Sequence, residues 1–118
     1  MAEVPATIKA TPLAKIRLIK WLALGGTDTG AWYEASAWQD RSVHVGGVFG
    51  GATVVIEGSN ADDKSDPISL RDPAGNNLTF SAAGLKQILE LPRWIRPKVT
   101  AGVGSAINVI VNARGDFR

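Results

Sequence analysis

The chain predicts an all-β fold, an antiparallel β-sandwich of jelly-roll character with at most one short helix, and three observations lead there. First, β-branched runs stop abruptly at turn-forming residues. Val54-Val55-Ile56-Glu57 ends at Gly58-Ser59-Asn60, and Ile68-Ser69-Leu70-Arg71 ends at Asp72-Pro73-Ala74-Gly75-Asn76. Gly supplies positive φ, Pro fixes φ, and Asn and Asp side chains bond nearby backbone, so each stop has a mechanism. Second, Ala106–Ala113 alternates cleanly, with Ile107, Val109 and Val111 on one side and Asn108 and Asn112 on the other. Third, roughly seven such short segments follow one another with turn signals between them, the spacing of a sandwich or jelly roll.

The elements follow in order. Residues 1–14 hold Pro5 and Pro12 with no sustained period and read as an extended N-terminal arm, which leaves 15–118 as a single β-sandwich domain. Lys15–Leu24 reads as a strand, with Ile16, Leu18, Leu22 and Leu24 on one face and Arg17, Ile19, Trp21 and Ala23 on the other. Gly25–Asp40 is a long connection carrying Trp32, Tyr33 and Trp38, of a size that is more often functional than decorative. Arg41–Phe49 places Val43 and Val45 opposite His44, and the glycines at 46, 47, 50 and 51 mark a bulge or a close backbone approach. Ala52–Glu57 is a strong strand and Leu78–Phe80 a short one. Ser81–Gln87 is the place for a single helical turn. Arg93–Thr100 is strand-like, but Pro92 and Pro97 confine it to a sheet edge.

Composition narrows the function. A chain of 118 residues, 45% hydrophobic and 20% charged, fits one globular domain with one core. Cysteine is absent, which excludes disulfides and thiolate metal sites. The apolar run Trp21–Leu24 is far too short to span a bilayer, and the Gly-Gly-Thr-Asp after it is a turn signal, so no targeting segment or membrane partner is expected. Net charge is only +2, but unevenly spread: residues 1–20 hold four basic and one acidic residue, 57–72 two basic and five acidic, 86–118 six basic and two acidic. Basic ends around an acidic middle suit docking between copies or onto an acidic partner.

Catalytic chemistry is hard to assemble. His44 is the single histidine, no nucleophile elbow exists, and zinc lacks the nitrogen and sulfur ligands it needs. Asp62, Asp63 and Asp66 are oxygen ligands on a loop, but without the central Gly and terminal Glu of a calcium loop they read as solvated charge. The paired glycines lack the Lys-Ser/Thr of a phosphate loop. No cofactor or metal is expected. What remains is a basic and aromatic stripe: Trp94, Arg96 and Lys98 share one strand face beside Arg93. It could stack single-stranded nucleic acid or equally serve as an interface hot spot, and its plainest reading is Arg stems covering a Trp at the sheet edge; nucleic acid is not the expected partner.

The order Gly46-Gly47-Val48-Phe49-Gly50-Gly51, Glu57-Gly58-Ser59-Asn60, Asp72-Pro73-Ala74-Gly75-Asn76, Leu78-Thr79-Phe80 and Pro92-Arg93-Trp94-Ile95-Arg96-Pro97 resembles small structural proteins of tailed bacteriophages, over residues 40–115. The resemblance implies a virion component, most like a capsid decoration (cement) protein that bridges and stabilises neighbouring major capsid subunits, as a dimer or trimer on the particle. It also implies a site on the capsid surface after synthesis in the host cytoplasm, and no enzymatic activity. Lys9, Lys15, Arg17, Trp32, Trp38, Arg93, Trp94 and Arg96 are the candidate partner-binding residues. A head-tail or tail accessory protein is the alternative within the particle. A carbohydrate-binding β-sandwich, using Trp32, Tyr33 and Trp38 as a sugar platform, is the alternative from another class.

Overall fold

The computed structural model describes residues 3–10, 15–36 and 38–115. Among the described residues twelve strands form two mostly antiparallel sheets: β1 (Glu3–Val4), β2 (Thr7–Ala10), β3 (Ile16–Leu24), β4 (Thr29–Gly30), β5 (Tyr33–Glu34), β6 (Asp40–Val48), β7 (Thr53–Ser59), β8 (Ile68–Ser69), β9 (Thr79–Phe80), β10 (Gly84–Gln87), β11 (Trp94–Thr100) and β12 (Ala106–Arg114). One sheet runs β10-β6-β12-β3-β2. The other runs β1-β4-β11-β7-β8, with β5 also on β11 and β9 also on β7. The all-β sandwich expected from the alternation is the fold observed.

Alternation decides what is buried. Val43 and Val45 on β6, Ile107, Val109 and Val111 on β12, and Ile19 and Trp21 on β3 fill one side of the core. Val54 and Ile56 on β7 and Ile95 and Val99 on β11 meet them from the facing sheet. Close packing of such apolar side chains, each contributing about 1.5–3 kcal/mol on burial, is the main stabilising term. Trp21 also donates its indole N–H to the Ala31 carbonyl at 3.0 Å, so the largest core side chain links the two sheets by a hydrogen bond as well.

One face assignment on β3 changes partway. Strict alternation puts Leu24 opposite Trp21, yet both are buried. Trp21 pairs with Val109 and Leu24 with Ile107, so three steps on β3 face two on β12. This bulge turns the chain at Ala23, whose φ is 58° and whose N–H is taken by Asn108 Oδ1 at 3.0 Å. A bulge is silent in a hydrophobic pattern until the partner strand is known.

The expected arm can be placed, and two further expectations are corrected. Residues 3–10 of that extended arm are strands paired with the body: β1 pairs in parallel with β4 in one sheet and β2 pairs with β3 in the other. The rest of that arm, residues 1–2 and 11–14, and the end of the domain at 116–118 lie outside the described residues. Ser81–Gln87 holds no helical turn, because Gly84–Gln87 pairs with β6 from Val45 to Ser42. The proline-bearing strand β11 is central, not an edge, with β7 along one side and the short β4 and β5 along the other.

The Pro97 case has a clear physical resolution. Val99 N–H reaches the Asp28 carbonyl at 2.9 Å and the Arg93 carbonyl accepts from Ala35 at 2.6 Å, so the odd-numbered residues of β11 aim their backbone groups towards β4 and β5. Pro97 has the same parity, and it falls between Ile95, paired with Tyr33 of β5, and Lys98, paired with Thr29 of β4. By the Lys98–Thr29 pairing it stands opposite Gly30, the last residue of β4, so its missing N–H coincides with the end of that short ladder. The ring then packs on Gly30, where a Cβ would sit 2.6 Å from Pro97 Cδ and 2.7 Å from Trp21 Cδ1. Gly30→Ala is expected to lower stability by about 1–3 kcal/mol through overpacking, seen as a fall in the urea midpoint with an unchanged slope.

Candidate interaction surface

The basic and aromatic residues singled out in the sequence divide into three groups. Trp32, Arg93, Trp94 and Arg96 come together on the outer face of the β11 sheet. The registry there sets Trp94 between Glu34 and Ser59, and Arg96 opposite Glu57. Arg96 Nε bonds Glu57 Oε1 at 2.6 Å and its guanidinium carbon lies 4.2 Å from the centre of the Trp32 ring. Both ends of that ion pair are largely buried, at 20% and 10% side-chain exposure, so it is shielded from salt far better than a surface pair.

Arg93 is the hub of the neighbouring loop. It binds Glu34 at 2.9 Å and Asp62 at 2.7 Å, and its backbone N–H is taken by Asn60 Oδ1 at 2.8 Å. The Trp94 ring has two cations against it, the Arg93 guanidinium at 5.1 Å and Lys64 Nζ at 4.5 Å. The sharing of faces expected for β11 is therefore observed, with Ile95, Pro97 and Val99 inward and Trp94, Arg96 and Lys98 outward. The cations of the stripe are largely matched within the chain by Glu34, Glu57 and Asp62.

The second group lies elsewhere. Arg17 is half-buried with its guanidinium 5.2 Å from the Trp38 ring, Lys15 precedes β3, and Lys9 stands exposed on β2. Trp38 forms the third group by itself and is a correction: it is 5% exposed, within the core, and donates its indole N–H to the Tyr33 hydroxyl at 3.2 Å. A buried Trp38 cannot anchor a partner. The three-ring sugar platform fails with it, since Tyr33 also packs against the core and Trp32 is stacked under Arg96.

The acidic loop is self-contained. Asp62 is paired to Arg93, and the Ser65 hydroxyl, followed by the Ser65 N–H that Asp63 accepts at 3.1 Å, holds the Asp63 carboxyl below the usual carboxylate range. Among the described residues no three His, Cys, Asp or Glu side chains converge on a metal position. Beside this loop an open groove of about 380 Å³ runs past Ser59, Ile68, Leu70, Leu91 and Pro92.

One structural residue, Arg41, escaped the sequence reading, and another, Asp72, acts through the turn chemistry expected of it. Arg41 is 2% exposed, and its guanidinium donates to three backbone carbonyls: Trp38 at 3.2 Å, Pro92 at 3.0 Å and Ala35 at 2.5 Å. Burial pushes its pKa down to about 10, which still leaves it a cation near neutrality. The signal was present, because Arg41 has the parity of Val43 and Val45. Asp72 closes its turn by accepting from the N–H groups of Ala74 and Asn76, both at 3.0 Å, and lies 3.7 Å from Lys86 Nζ. The Asn76 backbone bond leads the causes that lower its pKa.

No protein-family model matches the chain, and no curated protein matches it by sequence. Among solved structures it superposes on the SPBc2 prophage-derived protein YomS with a TM-score of 0.63 at 6% identity, over 88% of this chain and 99% of that one. Protein NMB1881 from Neisseria meningitidis gives a TM-score of 0.43 at 9% identity, over 93% and 83%. The likeness to YomS is a shared fold.

Two outcomes are expected. Arg41→Met strands three buried carbonyls, at about 1–3 kcal/mol each. It should remove about 3 kcal/mol or more in urea unfolding, with Arg41→Lys restoring only part. Asp72 has a depressed folded pKa, so its contribution is complete above the ordinary aspartate value of about 3.9 and is lost as pH falls below it. Asp72→Asn should therefore flatten the acid limb of a stability-against-pH curve, and an unchanged limb would show that other carboxylates govern it.

Proposed function

We propose that this chain is a structural component of a tailed-phage particle, and within it a decoration (cement) protein that sits on the capsid surface and bridges neighbouring major capsid subunits. The observation that carries the reading is the YomS likeness: a prophage-derived protein shares this fold over nearly its whole length. The motif resemblance across residues 40–115 points the same way from the sequence.

Several physical features support the role. Strands β1 and β2 join both sheets from one short segment, so the N-terminal residues fasten the layers together and stiffen the body. The charged groups that converge, Arg93 with Glu34 and Asp62 and Arg96 with Glu57, pair with one another in arrangements suited to holding a surface in shape. Such a body presents pre-formed surfaces and loses little entropy on docking. In this role the protein works without catalysis or cofactor, as a dimer or trimer, with virion proteins and neither membrane nor nucleic acid as partners. It reaches the particle from the host cytoplasm.

The test is placement. Particles of the encoding phage, separated into heads and tails and quantified by mass spectrometry, should carry the chain in the head fraction at a fixed ratio to the major capsid protein. Recovery with tails would move it to a tail accessory role, and recovery with neither would overturn the reading.

A further inference from the structure

Residues 60–67 join β7 to β8, and they lie on the protein without entering it. Nothing from Asn60 to Ser69 is buried, whereas Ser59 before them and Leu70 after them are. A connection with no apolar anchor adds little to the core and opens at small cost. Its fastenings are polar, and those to the body converge on Arg93 and Trp94 at the start of β11. Asn60 Oδ1 accepts the Arg93 N–H at 2.8 Å and Asp62 Oδ1 accepts from Arg93 Nη1 at 2.7 Å. Lys64 Nζ stands 4.5 Å from the centre of the Trp94 ring. Within the loop, Lys64 N–H donates to the Ala61 carbonyl at 3.0 Å and Ser59 Oγ to the Ser65 carbonyl at 2.7 Å, so the segment keeps its own shape.

Three features make the fastening reversible. The Asp62 side chain is 95% exposed and that of Arg93 42%, so their attraction is open to screening by salt. Arg93 holds a second carboxylate, Glu34, at 2.9 Å; it keeps a partner when Asp62 leaves, and Asp62 passes into water that already surrounds it. Lys64 and Asp66 have φ of 60° and 51°, left-handed values that residues with side chains adopt at a cost, so the fastened backbone is strained.

The indole of Trp94 supplies an independent observation. Its N–H is buried and finds no acceptor. A buried indole donor is ordinarily matched, by protein or by water. Lys64 occupies one approach to the ring, and the Arg93 guanidinium another at 5.1 Å. Moving the loop aside takes Lys64 away and admits water, which gives the N–H the partner it lacks in the closed form.

We propose that residues 60–67 are a strap with an electrostatic latch. The Asp62–Arg93 pair and the Lys64–Trp94 contact hold it over Trp94, and rising ionic strength releases it while Arg93 stays on Glu34. The two sheets keep their structure, because no buried side chain belongs to the strap. The device is independent of the virion reading and operates whatever the protein's role. It makes access to the Trp94 ring depend on the ionic surroundings.

The test uses the full chain with fluorotryptophan at its four tryptophans, the Trp94 fluorine resonance being assigned from Trp94→Phe. Amide exchange is followed residue by residue alongside it. Salt is raised from about 0.01 M to about 1 M, which shortens the screening length from roughly 30 Å to roughly 3 Å. The Lys64 and Arg93 amides should exchange about two- to fivefold faster at high salt, the loss expected of one exposed ion pair. The Trp94 resonance should gain a solvent isotope shift over the same range. Asp62→Asn should show the fast rates already at low salt and lose the salt response, with an unchanged unfolding midpoint. Lys64→Gln gives a second reading and should admit solvent to Trp94 at low salt. Salt-independent exchange in wild type, or wild-type behaviour by Asp62→Asn, would overturn the latch. Faster exchange in the strap with Trp94 unaltered would show that the strap does not cover the ring and sink the proposal. So would loss of protection throughout both sheets, which marks general loosening instead.

Discussion

Arg41 is the constraint around which the two ends of the connecting chain are organised. A guanidinium taken out of water loses solvation worth several kcal/mol, and it is held there only because three carbonyls replace its water. Those carbonyls belong to Ala35 and Trp38 on the approach to β6 and to Pro92 on the approach to β11. One side chain therefore fixes where two irregular segments pass each other. The Arg41 carbonyl also accepts the Ile88 N–H at 2.9 Å, extending the same anchorage to the chain that leaves β10. With these segments placed, Trp38 closes the core and Arg93 is brought beside Glu34.

The two outer faces are built differently. On the β11 sheet, Arg93 and Arg96 are paired with Glu34, Asp62 and Glu57 and lie against the Trp94 and Trp32 rings. On the β6 and β12 sheet, the outward rows mix Leu18, Leu85 and Ile110 with Ser42, His44, Lys20 and Asn112, and Arg114 is paired with Asp40.

Much of this was legible beforehand. The all-β class, the inward sets on β6, β11 and β12, and the turns at Gly58-Ser59-Asn60 and Asp72–Asn76 followed from period-two alternation and turn chemistry. What stayed hidden depends on partners distant in sequence. The central place of β11 required knowing that the short ladder with β4 ends where Pro97 falls. The bulge at Ala23 required the β12 register, and the burial of Trp38 required Arg41. The pairing of residues 3–10 into both sheets was hidden by Pro5, which reads as a break although it only marks the crossing between layers. At the candidate surface, the grouping of Trp94 and Arg96 could be read from strand parity, but their partners Glu57, Glu34 and Asp62 could not.

Strand order also carries a consequence for how the molecule comes into being. The middle of the β10-β6-β12-β3-β2 sheet is β12, whose partners β3 and β6 both precede it along the chain. During synthesis those two strands emerge with their inner edges bare and wait for more than half of the remaining polypeptide before the keystone between them arrives. Closure over such long loops is slow, and a nascent chain with paired-up outer strands and an empty centre is open to wrong neighbours. This sheet is accordingly complete only once β12 has taken its place between β3 and β6.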